Sequence, residues 1–165
     1  MRDPDKEAAY TAEQQVRELM DMAVEVEDWT FDFHGYTMQL PQERKFASLE
    51  SIRSYVNAVC NLSQVRARFP GRGTPKVAEH DYIDIASYTH HDETINIRTH
   101  KDSKWQQREL IVLHELAHHM AKGDGHGPEW RGAFVFLIDE CMGRQMAMVM
   151  GEQFYAQVGA PFAVK

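Results

Sequence analysis

Glu109-Leu110-Ile111-Val112-Leu113-His114-Glu115-Leu116-Ala117-His118-His119-Met120-Ala121, followed after a Gly-containing turn by His126-Gly127-Pro128-Glu129-Trp130, decides how this chain is read. Residues four apart in an α-helix are rotated by roughly 40° and rise about 6 Å, so His114 and His118 project from one face with their rings close together. Glu115 is turned about 100° from His114 and is not aligned with the pair. Two imidazoles that share one ion, with a neighbouring carboxylate in reach of a water on that ion, form the H-E-x-x-H arrangement. Leu113, Leu116, Val112 and Met120 fall away from the histidines. Ala117 and Ala121 fall beside them and leave room. The alternative is a helix with two surface histidines. A core-type helix, however, should not bury two imidazoles and a carboxylate without partners.

Catalytic zinc takes three protein ligands and keeps a fourth position open, so a third ligand is required. His126, just beyond the turn, is the preferred candidate, and Glu140 on the following helix is the competitor. Pro128 fits the first position of that helix, which carries Trp130, Phe134, Leu137, Ile138 and Cys141 at helical spacing. Glu129 is expected either to orient His126 or to cap the helix. Asp124 reads as an acceptor for a ligand ring N–H or as a turn former before Gly125. His119 faces away from His118 and reads as a partly buried imidazole rather than a ligand. Zinc suits three imidazoles, and nickel, cobalt or iron are the other candidates.

Ser103 with Gln106 resembles a capping box, which predicts a metal helix of about five turns ending near Gly123. Upstream, Thr11 with Gln14 predicts a first helix to about Glu27, with Val16, Leu19, Met20, Ala23 and Val24 as its apolar stripe. Thr30–Phe33 and Tyr36–Leu40 predict a hairpin around His34-Gly35. Ser48 is expected to cap a second helix with Leu49, Ile52, Tyr55, Val56, Val59 and Cys60 inward. Residues 70–75 are a loop, and strands are expected at Lys76–His80, Tyr82–Tyr88 and Glu93–Arg98, with His90-His91-Asp92 as a turn. The methionines at 142, 146, 148 and 150 suggest adaptable packing. The expected fold class is α+β, a small twisted β-sheet with a metal-binding helix laid against it and flanking helices.

The chain of 165 residues has 43% hydrophobic content, enough for one domain over 1–165, with residues 1–10 expected as a flexible tail. Cys60 and Cys141 form no metal or redox motif. The polar start does not resemble a signal peptide, and no apolar run is long enough to span a membrane. A cytoplasmic protein with no membrane partner is the expectation. The formal charge is −7. Residues 1–28 hold nine acids against Arg2, Lys6 and Arg17, a balance of −6. Between Glu43 and Lys76 the sign reverses, through Arg44, Lys45, Arg53, Arg66, Arg68, Arg72 and Lys76. Such a patch meets a phosphate backbone or an acidic peptide, or is simply a solvated face. No aromatic-basic motif accompanies it, which favours the solvated face.

H-E-L-A-H-H followed by H-G-P-E-W resembles the SprT-like branch of zincin metallopeptidases. It is closer still to a small actinobacterial family of inferred metallohydrolases, in which segments similar to Phe46-Ala47-Ser48-Leu49-Glu50 and Val65-Arg66-Ala67-Arg68-Phe69-Pro70 precede the motif. That likeness covers the chain from about Asp28 to Phe154. It implies a zincin-like fold, one catalytic Zn2+ on His114, His118 and His126, and Glu115 as the catalytic base. It also makes Thr94–Arg98, the strand before the metal helix, the candidate for an edge that pairs with an extended peptide; an ordinary sheet strand is the other reading. The substrate would be a peptide or protein. SprT-like proteases acting on DNA-crosslinked proteins often add cysteine zinc modules or basic segments; here there is no C-x-x-C, so association with nucleic acid rests on the basic stretch alone. A zinc-stabilised binding protein without proteolytic activity is the other alternative. The second oxyanion donor is open among Tyr82, Tyr88, His119 and Arg131.

Overall fold

The structure is a computed structural model that describes residues 3–81, 84–123 and 125–159. It is mixed α and β, with helices predominating over small sheets. The described residues group into two compact units, one drawn from Met1–Glu43 and Asp124–Lys165, the other from Arg44–Gly123. Among the described residues no helix is long and apolar enough to cross a membrane.

In the first unit, α1 (Lys6–Val26) and α5 (Pro128–Met142) both pack on α6 (Arg144–Val158). Helix α1 begins before the expected Thr11: residues 6–10, expected as tail, are its first turns. Thr11 bonds back to the Glu7 carbonyl instead of capping. The stripe of α1 buries Ala9, Ala12, Val16, Met20 and Ala23, while Val24 is exposed. The strands β1 (Thr30–Phe33) and β2 (Tyr36–Gln39) form the expected hairpin. Its two-residue turn puts both His34 (φ 52°) and Gly35 (φ 83°) in the left-handed region, as a turn that matches strand twist requires. Pro128 opens α5 as expected. Trp130, Phe134 and Phe154 form the aromatic centre, with Trp130 5.1 Å from Phe134 and 5.8 Å from Phe154 between ring centroids. Met142, Met146 and Met150 are buried, and Met148 is exposed.

In the second unit, α2 (Leu49–Cys60) opens on Ser48, whose hydroxyl accepts from the Ser51 amide while Ser51 reciprocates. Ile52, Val56, Val59 and Cys60 are its buried positions. A short helix, α3 (Ser63–Arg68), follows and anchors Val65. Strands β3 (Lys76–Glu79), β4 (Ser87–Thr89) and β5 (Thr94–Ile97) form a sheet of order β3-β5-β4. Of the expected strand Tyr82–Tyr88, residues 84–86 are not strand and 87–88 fall in β4, while Tyr82 and Ile83 lie outside the described residues. The edge assignment of Thr94–Arg98 is corrected. Strand β5 pairs parallel with β3 on one side and antiparallel with β4 on the other, so both its backbone rows are engaged. No extended peptide can add to it.

The helix that carries His114 and His118 also starts later than expected. Lys101–Gln107 is a 3₁₀ segment interrupted at Ser103 (φ −117°, ψ 22°), and α4 runs Glu109–Ala121. The reason is a backbone pairing. The Phe46 amide donates to Gln107 O at 2.8 Å and the Glu109 amide to Arg44 O at 2.9 Å, with Arg108 extended between them. Those groups are spent on a bridge and cannot propagate a helix through 108. At its far end α4 stops on left-handed Lys122 (φ 56°) and Gly123 (φ 94°), which matches the expected end.

Candidate metal centre

Every residue of α4 except His118 is buried, so this is a core helix rather than an amphipathic one. It packs against α2, β4 and the 3₁₀ segment. Its first turn is pinned by Glu109, 1% exposed. The Glu109 carboxylate accepts from the Arg44 amide (3.0 Å), from Arg44 Nη1 (2.5 Å) and from Tyr55 Oη (2.6 Å). A buried carboxylate with this many donors at a helix N-terminus is stabilised by both the hydrogen bonds and the helix dipole.

His114 Nε2 and His118 Nε2 face each other at 3.3 Å. Two nitrogens bound at about 2.0–2.1 Å to a tetrahedral centre stand about 3.3–3.4 Å apart, so the pair already has the spacing of two ligands of one ion. One ring nitrogen from each of His114, His118 and His126 lies within 4.8 Å of the other two. His114, His126 and Glu115 are 3%, 5% and 5% exposed. Glu140, the competing ligand, is half-buried on the last turns of α5 and is not part of this group.

His126 is held by partners that sequence reasoning did not find. Its Nδ1 donates to Asp3 Oδ2 at 2.6 Å, and its amide donates to the same oxygen at 3.2 Å. Arg131 Nη1 donates to the His126 carbonyl at 2.9 Å and to Asp5 Oδ2 at 2.7 Å. Tyr10 and Trp130 meet the His126 ring edge-on at 5.2 and 4.6 Å. Burial works against ionisation of Asp3, but its hydrogen bonds from the His126 ring and amide help to outweigh it and hold the carboxyl below its usual value. Asp3 is thus an orienting partner of His126; Glu129, expected either to orient His126 or to cap the helix, is exposed in the first turn of α5. Asp124 lies outside the described residues. Nothing near His126 in sequence points to a residue at position 3.

His119 is a structural imidazole, in line with its expected role outside the ligand set. Its Nε2 donates to Gly73 O at 2.9 Å, so Nδ1, 2.8 Å from Tyr88 Oη, is the acceptor of the tyrosine proton. Burial pushes its pKa down against the opposing pull of the Gly73 carbonyl, which keeps the ring neutral. Helix α4, strand β4 and the 70–75 loop are thereby tied together. Of the four oxyanion candidates, Tyr88 commits its proton to His119, His119 commits its N–H to Gly73, and Arg131 braces Asp5 and the His126 carbonyl; Tyr82 lies outside the described residues.

No family model matches the chain, and no curated protein or solved structure matches it.

The basic stretch is partly consumed inside its own unit. Arg44 pairs with Glu109, Arg53 donates to Val77 O and lies near Glu50, and Arg72 faces Glu93 at 3.6 Å. Lys45, Arg66 and Lys76 are exposed. Cys60 is buried and Cys141 half-buried, and neither forms a disulfide with the other.

Proposed function

We propose that this protein is a zinc-dependent hydrolase of zincin-like fold, acting on peptide or amide bonds, with His114, His118 and His126 as metal ligands and Glu115 as general base. The observation that carries the reading is the facing Nε2 pair on a buried H-E-x-x-H helix, with a third imidazole nitrogen within 4.8 Å. The donor set fits a divalent cation: three neutral imidazoles suit zinc, and His126, with Nδ1 given to Asp3, keeps Nε2 available. A zinc ion held there would supply Lewis-acid polarisation.

The chain's own residues would do the rest. Glu115 takes the proton of the attacking water and returns it to the leaving amine. Its burial beside the histidines keeps bulk water from competing for that proton.

The test is cleavage of an unstructured peptide mixture followed by mass spectrometry. Cleavage is expected to stop with 1,10-phenanthroline and to return when zinc is restored. Cleavage unaffected by the chelator, or none with zinc fully loaded, contradicts the peptidase assignment.

A further inference from the structure

We propose that Asp3 is a positioning residue for the third ligand, and that the segment preceding α1 thereby acts as a latch on His126. The proposal rests on the metal-site reading above. Three independent features show a place built around this carboxylate.

First, one Asp3 oxygen receives both the ring Nδ1–H and the backbone amide of His126, at 2.6 and 3.2 Å. The bidentate grip fixes ring rotation and backbone together. It also fixes the tautomer, because a proton kept on Nδ1 leaves Nε2 as the sole lone pair able to ligate. Second, Gly125 is shaped to Asp3. A Cβ there would stand 2.8 Å from the Asp3 carboxylate, and the residue adopts φ +65°, which other residues rarely take. Third, the same segment is fastened again one step along. Asp5 holds Arg131, which is 2% exposed and donates to the His126 carbonyl, and the Asp5 amide donates to Asp3 Oδ1 at 3.3 Å.

A carboxylate on the far nitrogen of a ligating imidazole raises the basicity of the near one and reduces the ordering needed on binding. Asp3 is reached from a part of the chain remote from the ligand helix. Metal affinity is thereby coupled to whether the first residues are seated. Displacing that segment would release His126 while leaving His114 and His118 in place.

The experiment measures the zinc Kd by competition with a chromophoric chelator, using the wild-type chain of residues 1–165, Asp3→Ala, Asp3→Asn and His126→Ala. The ¹⁵N shifts of the His126 ring are read in the metal-free proteins. Asp3→Ala is expected to weaken zinc binding about 10–100-fold and to turn the Nδ1–H tautomer into a mixture. Asp3→Asn, which keeps an acceptor but not the charge, falls between Asp3→Ala and wild type. A purely structural role for Asp3 would leave the tautomer unmoved. If Asp3→Ala binds zinc as wild type does and keeps its tautomer, while His126→Ala loses affinity, the latch is wrong and the metal site stands. If wild type itself binds no zinc, the metal-site reading fails, and the latch with it.

Discussion

Replacing Glu115 by Gln is expected to lower kcat for amide hydrolysis about 10²–10⁴-fold while leaving zinc content unchanged. Gln keeps the size and hydrogen-bonding reach of Glu but cannot accept and return a proton. The position is 5% exposed, so a replacement of different volume would disturb packing and blur the result. The isosteric change isolates the proton transfer. Turnover and metal content must be measured on the same preparation. A loss of both indicates damage to the site, and loss of turnover alone supports the base assignment. Full activity in Glu115→Gln rules that assignment out, and absence of activity in both proteins favours a binding protein that uses the metal for structure.

The largest expected effect on stability belongs to Trp130→Ala, at about 3–5 kcal/mol by urea unfolding. Trp130 is 0% exposed and touches Phe134 and Phe154, so truncation leaves a cavity that rigid aromatic neighbours cannot fill. The same ring lies 4.6 Å from that of His126. Its removal should therefore loosen the third ligand as well as the core. Zinc binding is expected to weaken even under conditions where the variant remains folded. A stability loss under about 1 kcal/mol would contradict the packing described for this unit.

Local chemistry was legible in the sequence. His34-Gly35 marks a turn because both positions need left-handed backbone, Ser48 marks a helix start because its hydroxyl can reach the Ser51 amide, and Pro128 marks another because it needs no donor there. The two histidines of α4 follow from helical spacing alone. What pairing decides was not legible. The order β3-β5-β4 depends on a parallel partner for β5 supplied by residues 76–79, and no property of Thr94–Ile97 reveals it. The start of α4 depends on backbone bonds to residues 44 and 46, which override the Ser103 cap signal. Asp3 reads as one acid among many near the chain start until tertiary structure brings it to His126.

The central claim is that three imidazoles share one cation, and elemental analysis of purified wild type beside His114→Ala, His118→Ala and His126→Ala tests it most directly. About one equivalent of zinc per chain in wild type, lost in each variant, is the predicted result. Wild type without a stoichiometric divalent metal, or His126→Ala with undiminished metal, would contradict it.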